Sequence, residues 1–244
     1  MEFIPNHAPA VVLGFLATCL VLGLAALIVI FAWATKRIRR ALQALAAALV
    51  VGSFYVTLLV GAAVTSDERT LVPGEWKYFC EIDCHLAYTV TDVRAAKTLG
   101  PARRSLLTPS PASPDEGLGA GGPPEIQRAA EGVFYFVTIK TWFDERTTAP
   151  WRPQDLRLRP DARLVAVVDA YGNVYTPMEV RGTPLTQPLL PGESCTTEFV
   201  FDLPANRPNF RLLLTTDLAA NWFLIGHEAS FFHSKVFFSL EPTP

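Results

Sequence analysis

VVLGFLATCLVLGLAALIVIFAWATKRIRRALQALAAALVVGSFYVTLLVGAAVT, residues 11–65, consists of two apolar runs on either side of one basic knot. The first run, Val11 to Ala34, carries no charged side chain, and about 20 apolar residues suffice for a helix to span a bilayer. The second run, Ala41 to Thr65, has Gln43 and Ser53 as its most polar members. Between them, Lys36-Arg37-Ile38-Arg39-Arg40 puts four cations into a short loop, and such a loop stays on the cytoplasmic side. The stretch therefore predicts a transmembrane hairpin within residues 1–66, with spans at 11–34 and 41–65 and a cytoplasmic loop at 36–40. Residues 67–244 then lie outside. The expected location is the bacterial inner (cytoplasmic) membrane, with the N- and C-termini on the periplasmic side. A signal peptide needs a basic start before a short apolar core, and Met1 to His7 contains no Lys or Arg.

Ala44, Ala48 and Gly52 recur every four positions in the second span. They share one helix face, where small side chains let another backbone approach. Two uses fit: packing against the first span, where Cys19 and Gly23 offer a matching step, or a seat for a partner's helix. Neither span contains Asp, Glu, Lys, Arg or His, which argues against transport through these helices, since intramembrane charges mark such pathways.

The whole chain has 244 residues, 50% hydrophobic and 18% charged, and the apolar excess sits in the first 65. The remainder is long enough for one domain with its own core. A net charge of −2, with no basic stripe beyond the loop cluster, excludes a nucleic-acid partner.

Beyond the spans the pattern turns to β. Trp76, Tyr78 and Phe79 follow the membrane exit closely enough to form an interfacial aromatic belt. Tyr78 to Val93 alternates, with Tyr78, Cys80, Ile82, Cys84, Leu86, Tyr88 and Val90 on one face, and reads as a single long strand. Arg94 to Gly132 is dense in Pro and Gly and reads as a long loop. Strands resume at Val133–Phe143, Arg163–Val168, Val174–Met178, Cys195–Leu203, Arg211–Thr215 and Lys235–Leu240. Turn signals lie at 169–173 and 190–193, where Gly172 and Asn173 accept positive φ. Seven or so short strands without a long amphipathic helix predict an all-β, antiparallel, immunoglobulin-like sandwich after the helical hairpin.

The order of elements resembles the bacterial exported immunoglobulin-like domains of unknown function. The resemblance rests on Val133 to Lys140 as central strand, Leu164 to Tyr175 as hairpin, and the turn and strand of Leu190 to Leu203, and covers roughly residues 71–240. It implies a fold and an extracytoplasmic place. An outer N-terminus, two spans and an outer β domain also resemble subunit two of the haem-copper oxidases, a resemblance that raises the question of copper.

Cys80-Glu81-Ile82-Asp83-Cys84-His85 is the one dense set of soft ligands, and thiolate and imidazole suit copper or zinc. His227, Glu228, His233 and Met178 are the remaining candidates to complete such a site. In the oxidase subunit the paired cysteines come late in the domain, with a His and a Met after them; here they come first, so the copper site is not carried over. On an extended strand Cys80 and Cys84 lie roughly 13 Å apart, too far to share an ion or to pair with each other. Buried thiols, or a disulfide from one of them to Cys195, are the expectation, with no cofactor and no metal. The sequence shows no catalytic set and identifies no small-molecule ligand.

These readings converge on a non-catalytic accessory or scaffolding subunit, embedded in the lipid bilayer and bracing a larger integral membrane complex such as a photosynthetic reaction centre or respiratory oxidase. In the loop, Arg103 and Arg104 would supply charged contacts to that partner, and Leu106 and Leu107 apolar ones. The alternatives are a copper-binding or electron-transfer protein using Cys80, Cys84 and His85, and an extracytoplasmic ligand-binding or sensor domain. The topology has a direct test. Protease added to intact spheroplasts should remove the β domain, and protection of residues 66–244 would contradict the orientation.

Overall fold

In the computed structural model the chain is described over residues 8–79, 86–99, 128–148, 152–216 and 219–241. Helix α1 (Ala8–Ala34) and helix α2 (Ile38–Val64) pack side by side, and both are long and apolar enough to cross a membrane. The turn between them is only Thr35-Lys36-Arg37, with Lys36 at a φ of 56°. The basic knot is thus split: Arg39 and Arg40 stand in the first turn of α2. Cations are disfavoured at a helix N-terminus, so these two side chains gain nothing from the helix and are left to the solvent or headgroup side.

The helix contact uses Phe15, Thr18, Leu22, Ala25, Val29 and Ala32 of α1, which are the less exposed positions, against Ala44, Ala48, Gly52, Tyr55, Leu59 and Ala63 of α2. The small-residue face of α2 therefore does point inward. Cys19 and Gly23, expected to offer the matching step, are both exposed rather than packed into the contact. A Cβ on Gly52 would touch nothing within 4 Å, so no backbone is pressed against that glycine.

The β domain is a sandwich of two five-stranded sheets. One contains β1 (Arg69–Leu71), β10 (Val236–Ser239), β9 (Arg211–Thr216), β5 (Arg163–Val168) and β6 (Val174–Tyr175), in that order. The other contains β2 (Lys77–Tyr78), β3 (Leu86–Leu99), β4 (Arg128–Phe143), β8 (Ser194–Leu203) and β7 (Glu179–Gly182). All pairs are antiparallel except β1 with β10. Side chains two apart on a strand share a face. Tyr88, Val90, Val137, Ile139, Phe143, Phe199, Phe201 and Leu203 of one sheet thereby meet Val165, Val167, Leu212, Leu214 and Phe238 of the other in one buried core. A smaller cluster, Phe134, Phe136 and Val200, covers the outer face of the second sheet.

Three sequence expectations change. Tyr78 to Val93 is not one strand: β2 and β3 are antiparallel, with Lys77 opposite Tyr88 and Tyr78 opposite Ala87, so the chain reverses direction between Phe79 and Leu86. The buried face changes parity at the reversal: Phe79 of one arm and Leu86, Tyr88 and Val90 of the other all enter the core, and Tyr78, expected on that face, lies on the opposite one with Ala87. The ends assigned to the Pro/Gly-rich loop are strand: β3 runs to Leu99 and β4 starts at Arg128. Their Ala-rich composition hides them from a search for β-branched residues, and register shifts after Val90 and Ala96 break the period. Finally, β1 and β7 were not foreseen, since three or four residues are too short to show a period.

Asp169 builds the β5–β6 turn. Its carboxylate accepts from the Tyr171 and Asn173 backbone N–H groups, each at 2.9 Å, from Asn173 Nδ2 at 2.8 Å and from the Tyr175 hydroxyl at 3.1 Å. Gly172 takes the left-handed conformation, at a φ of 82°, and Asn173 does not need to. At the start of β4, Gly132 lies against β8, where an added Cβ would come within 2.0 Å of the Leu203 carbonyl oxygen. Gly132→Ala should therefore lower stability by about 2 kcal/mol, as overpacking does, while Gly52→Ala should leave it unchanged. Thermal unfolding of the two purified variants checks this contrast.

Candidate functional site at the joint between helices and sandwich

Only Thr65-Ser66-Asp67-Glu68 separate α2 from β1. This link is fastened to the far end of the chain. Ser234 donates through its backbone N–H to Ser66 Oγ and through its hydroxyl to the Ser66 carbonyl, both at 2.9 Å. Glu68 forms an ion pair with Arg211 of β9. A third tie lies deeper: the Tyr55 hydroxyl on α2 donates to the Phe223 carbonyl at 2.7 Å. The Phe223 ring lies nearly parallel to Phe15 of α1, with centroids 6.5 Å apart, and Phe15 also meets Tyr55 at 6.3 Å.

Phe223 ends a short 3₁₀ helix, Ala219–Phe223, which opens a cap continuing to His233. Successive tight turns tie the cap to itself: Leu224 N–H donates to Asn221 O, His227 to Leu224, Ser230 to His227, Phe231 to Trp222 and His233 to Ser230. Its rings form a chain: Trp222 and Phe223 both meet Phe231 edge-on, at 5.8 and 5.4 Å, and Phe231 touches Phe232 at 6.4 Å.

Above the cap sits the most buried cation among the described residues. Lys77, 4% exposed, donates from Nζ to Glu228 Oε1 at 2.6 Å, to the Leu214 carbonyl at 2.7 Å and to the Val236 carbonyl at 2.9 Å. One ammonium thereby ties β2, β9, β10 and the cap, joining both sheets. Burial lowers its pKa, and the Glu228 carboxylate opposes that shift. Lys235 donates to the Glu228 carbonyl, and burial lowers its pKa too. His227 is the titratable centre of the cap. Its Nδ1 accepts from the Ala229 backbone N–H at 3.0 Å. Burial, with His233, Lys235, Arg163 and Lys77 nearby, pulls it down to about 4, so the ring is neutral at pH 7.

The sequence candidates fare unevenly. Cys80, Cys84 and His85 lie outside the described residues, as do Arg103, Arg104, Leu106 and Leu107. The chain reversal after Phe79 removes the extended spacing used against a shared ion, so that inference loses its premise. Cys195 is a free thiol, so the disulfide considered for it is not formed. It sits opposite Thr141 in the β4–β8 register, facing the core, where burial raises its pKa. His227 serves the cap, and among the described residues no three metal-ligating side chains gather. The aromatic belt expected of Trp76, Tyr78 and Phe79 is also relocated. Phe79 is core, Tyr78 donates to Asp144 at 2.9 Å, and Trp76 packs on Trp142 at 5.3 Å. The rings beside the helices are those of the cap, whose run of aromatics around two histidines was the signal available in the sequence.

No family model matches the chain, and no curated protein matches it. Among solved structures, a secreted protein from Mycobacterium tuberculosis, MPT63, is similar at 10% identity and a TM-score of 0.39, covering 72% of this chain and 99% of that one. That likeness carries no functional information for this chain.

The joint carries a pH signature. An unfolded histidine titrates near 6.5 and folded His227 near 4. The unfolded state therefore binds more protons between those values, and stability is whole above pH 6.5 and falls as pH drops towards 4. For Asp169, burial acts to raise the pKa, but the four donated hydrogen bonds outweigh it and hold the carboxyl below its usual range. Its contribution is present above the ordinary carboxylate pKa of about 3.9 and is lost only below it. Melting temperatures measured from pH 7.5 to 4 should decline for the native chain, and the slope above pH 4.5 should flatten in His227→Gln.

Proposed function

We propose that the chain is a membrane-anchored accessory subunit whose helices span a bilayer and whose sandwich, outside the cytoplasm, braces a larger integral membrane complex. The observation that carries this reading is the fixed joint. A domain meant to search for soluble ligands gains from a flexible tether, whose reach grows with length. Here four link residues are clasped by Ser66–Ser234, Glu68–Arg211 and Tyr55–Phe223. Such a joint holds a surface at one height and angle over the membrane, as a brace requires. The helices support the same reading, because Leu13, Leu16, Leu20, Leu42, Leu49 and Phe54 all point away from the hairpin contact, leaving a broad apolar surface for lipid and neighbouring spans. The split basic knot favours the orientation with both termini outside.

Affinity purification of the tagged full chain from membranes solubilised in a mild detergent tests the proposal. Stoichiometric integral membrane subunits should co-elute with the native chain and be lost when α1 and α2 are replaced by an unrelated helical hairpin. A chain that elutes alone as a monomer contradicts the role.

A further inference from the structure

We infer that the aromatic cap, residues 219–233, is itself immersed in the outer leaflet of the bilayer, so that the β domain touches lipid through Trp222, Phe223, Phe231 and Phe232. This rests on the reading of α1 and α2 as membrane spans. Depth is the first argument. Tyr55 lies nine residues before the end of α2 at Val64, about 14 Å along a helix rising 1.5 Å per residue. Phe15 lies seven residues into α1, about 10 Å from its start by the same rise. The cap backbone bonds to one of these residues and its ring stacks on the other. If the spans are in lipid, the cap must descend with them.

The chemistry of the cap suits that depth. A segment in lipid must satisfy its backbone internally, and the cap meets part of this need through the N–H groups of Leu224, His227, Ser230, Phe231 and His233 in consecutive turns, with the Phe223 carbonyl met by Tyr55. Its charges are absorbed: Glu228 is engaged by Lys77 and His227 is neutral. What it exposes is aromatic, and Trp is favoured at the boundary between headgroups and acyl chains. Phe232 is 82% exposed and is held at a φ of 63°, a left-handed conformation that a bulky residue rarely adopts. In water, such a strained backbone would serve only to expose a benzyl group; in a leaflet it places an anchor. The apolar surface of the cap is continuous with that of α1 and α2, which makes lipid the occupant.

Tryptophan quenching tests this. The full chain is placed in nanodiscs of phosphatidylcholine brominated on the upper acyl chain, and the share of quenching due to one residue is read as wild type minus variant. Trp33, 76% exposed near the inner end of α1, reports on the spans through Trp33→Phe. Trp222→Phe reports on the cap, and Phe232→Ser, which removes an anchor from an exposed position, should reduce the quenching of Trp222. Quenching of both tryptophans supports the inference. Quenching of Trp33 without Trp222 overturns it while sparing the anchor, and assigns the cap to a protein partner. Absence of quenching at both overturns the spanning reading and this inference with it.

Discussion

Four residues lie between the end of α2 and the start of β1, and β1 pairs in parallel with β10, the last strand among the described residues. Most of the architecture follows from this shortness. Because β1 enters one sheet immediately after the helix, the sandwich has no room to swing. Strand β10 must lie next to the end of α2, and the segment before it, 219–235, is brought down against the helices. Ser66 and Ser234 close the ring with two hydrogen bonds. Each such bond contributes only about 1 kcal/mol net; their effect comes from acting on a link with little slack.

Lys77 shows how the joint is kept from loosening above that clasp. A buried ammonium is costly unless it is fully engaged, and this one is engaged three times, by groups from β9, β10 and the cap. Removal of Glu228 alone would leave a buried cation without its counter-ion, the situation in which losses of about 3–5 kcal/mol arise. The same geometry that makes the site expensive also makes it specific, since only one docking of the cap brings Glu228 to Lys77. The neutral His227 beside it completes an arrangement in which the helix-facing side of the domain shows rings and the sandwich side holds the charges.

Much of this was legible in the sequence, for particular reasons. The two long apolar helices were plain because uncharged apolar runs of that length carry no turn or strand signal. The core strands around Val133–Phe143 and Cys195–Leu203 were plain because both are dense in aromatic and β-branched residues, which favour strands. The β2–β3 reversal was hidden because Cys80 to His85 contains no Gly or Pro to mark a turn. The ends of β3 and β4 were hidden by alanines and by two register shifts. The joint was the least visible. Lys77 reads as an ordinary surface lysine, and Glu228 stands 151 positions away; nothing local links them. The partnership of Tyr55 with Phe223, and of Ser66 with Ser234, likewise depends on the fold returning the chain to its starting point.

The central claim is that the sandwich stands in one fixed pose on its helices. Electron–electron double resonance measures this directly, with one nitroxide at Val56 on the outward side of α2 and the other at Tyr171 in the β5–β6 turn, in nanodiscs. A single narrow distance distribution is predicted, unchanged between detergent and lipid. A broad distribution, or several populations, would show a domain that swings on its link and would contradict the account.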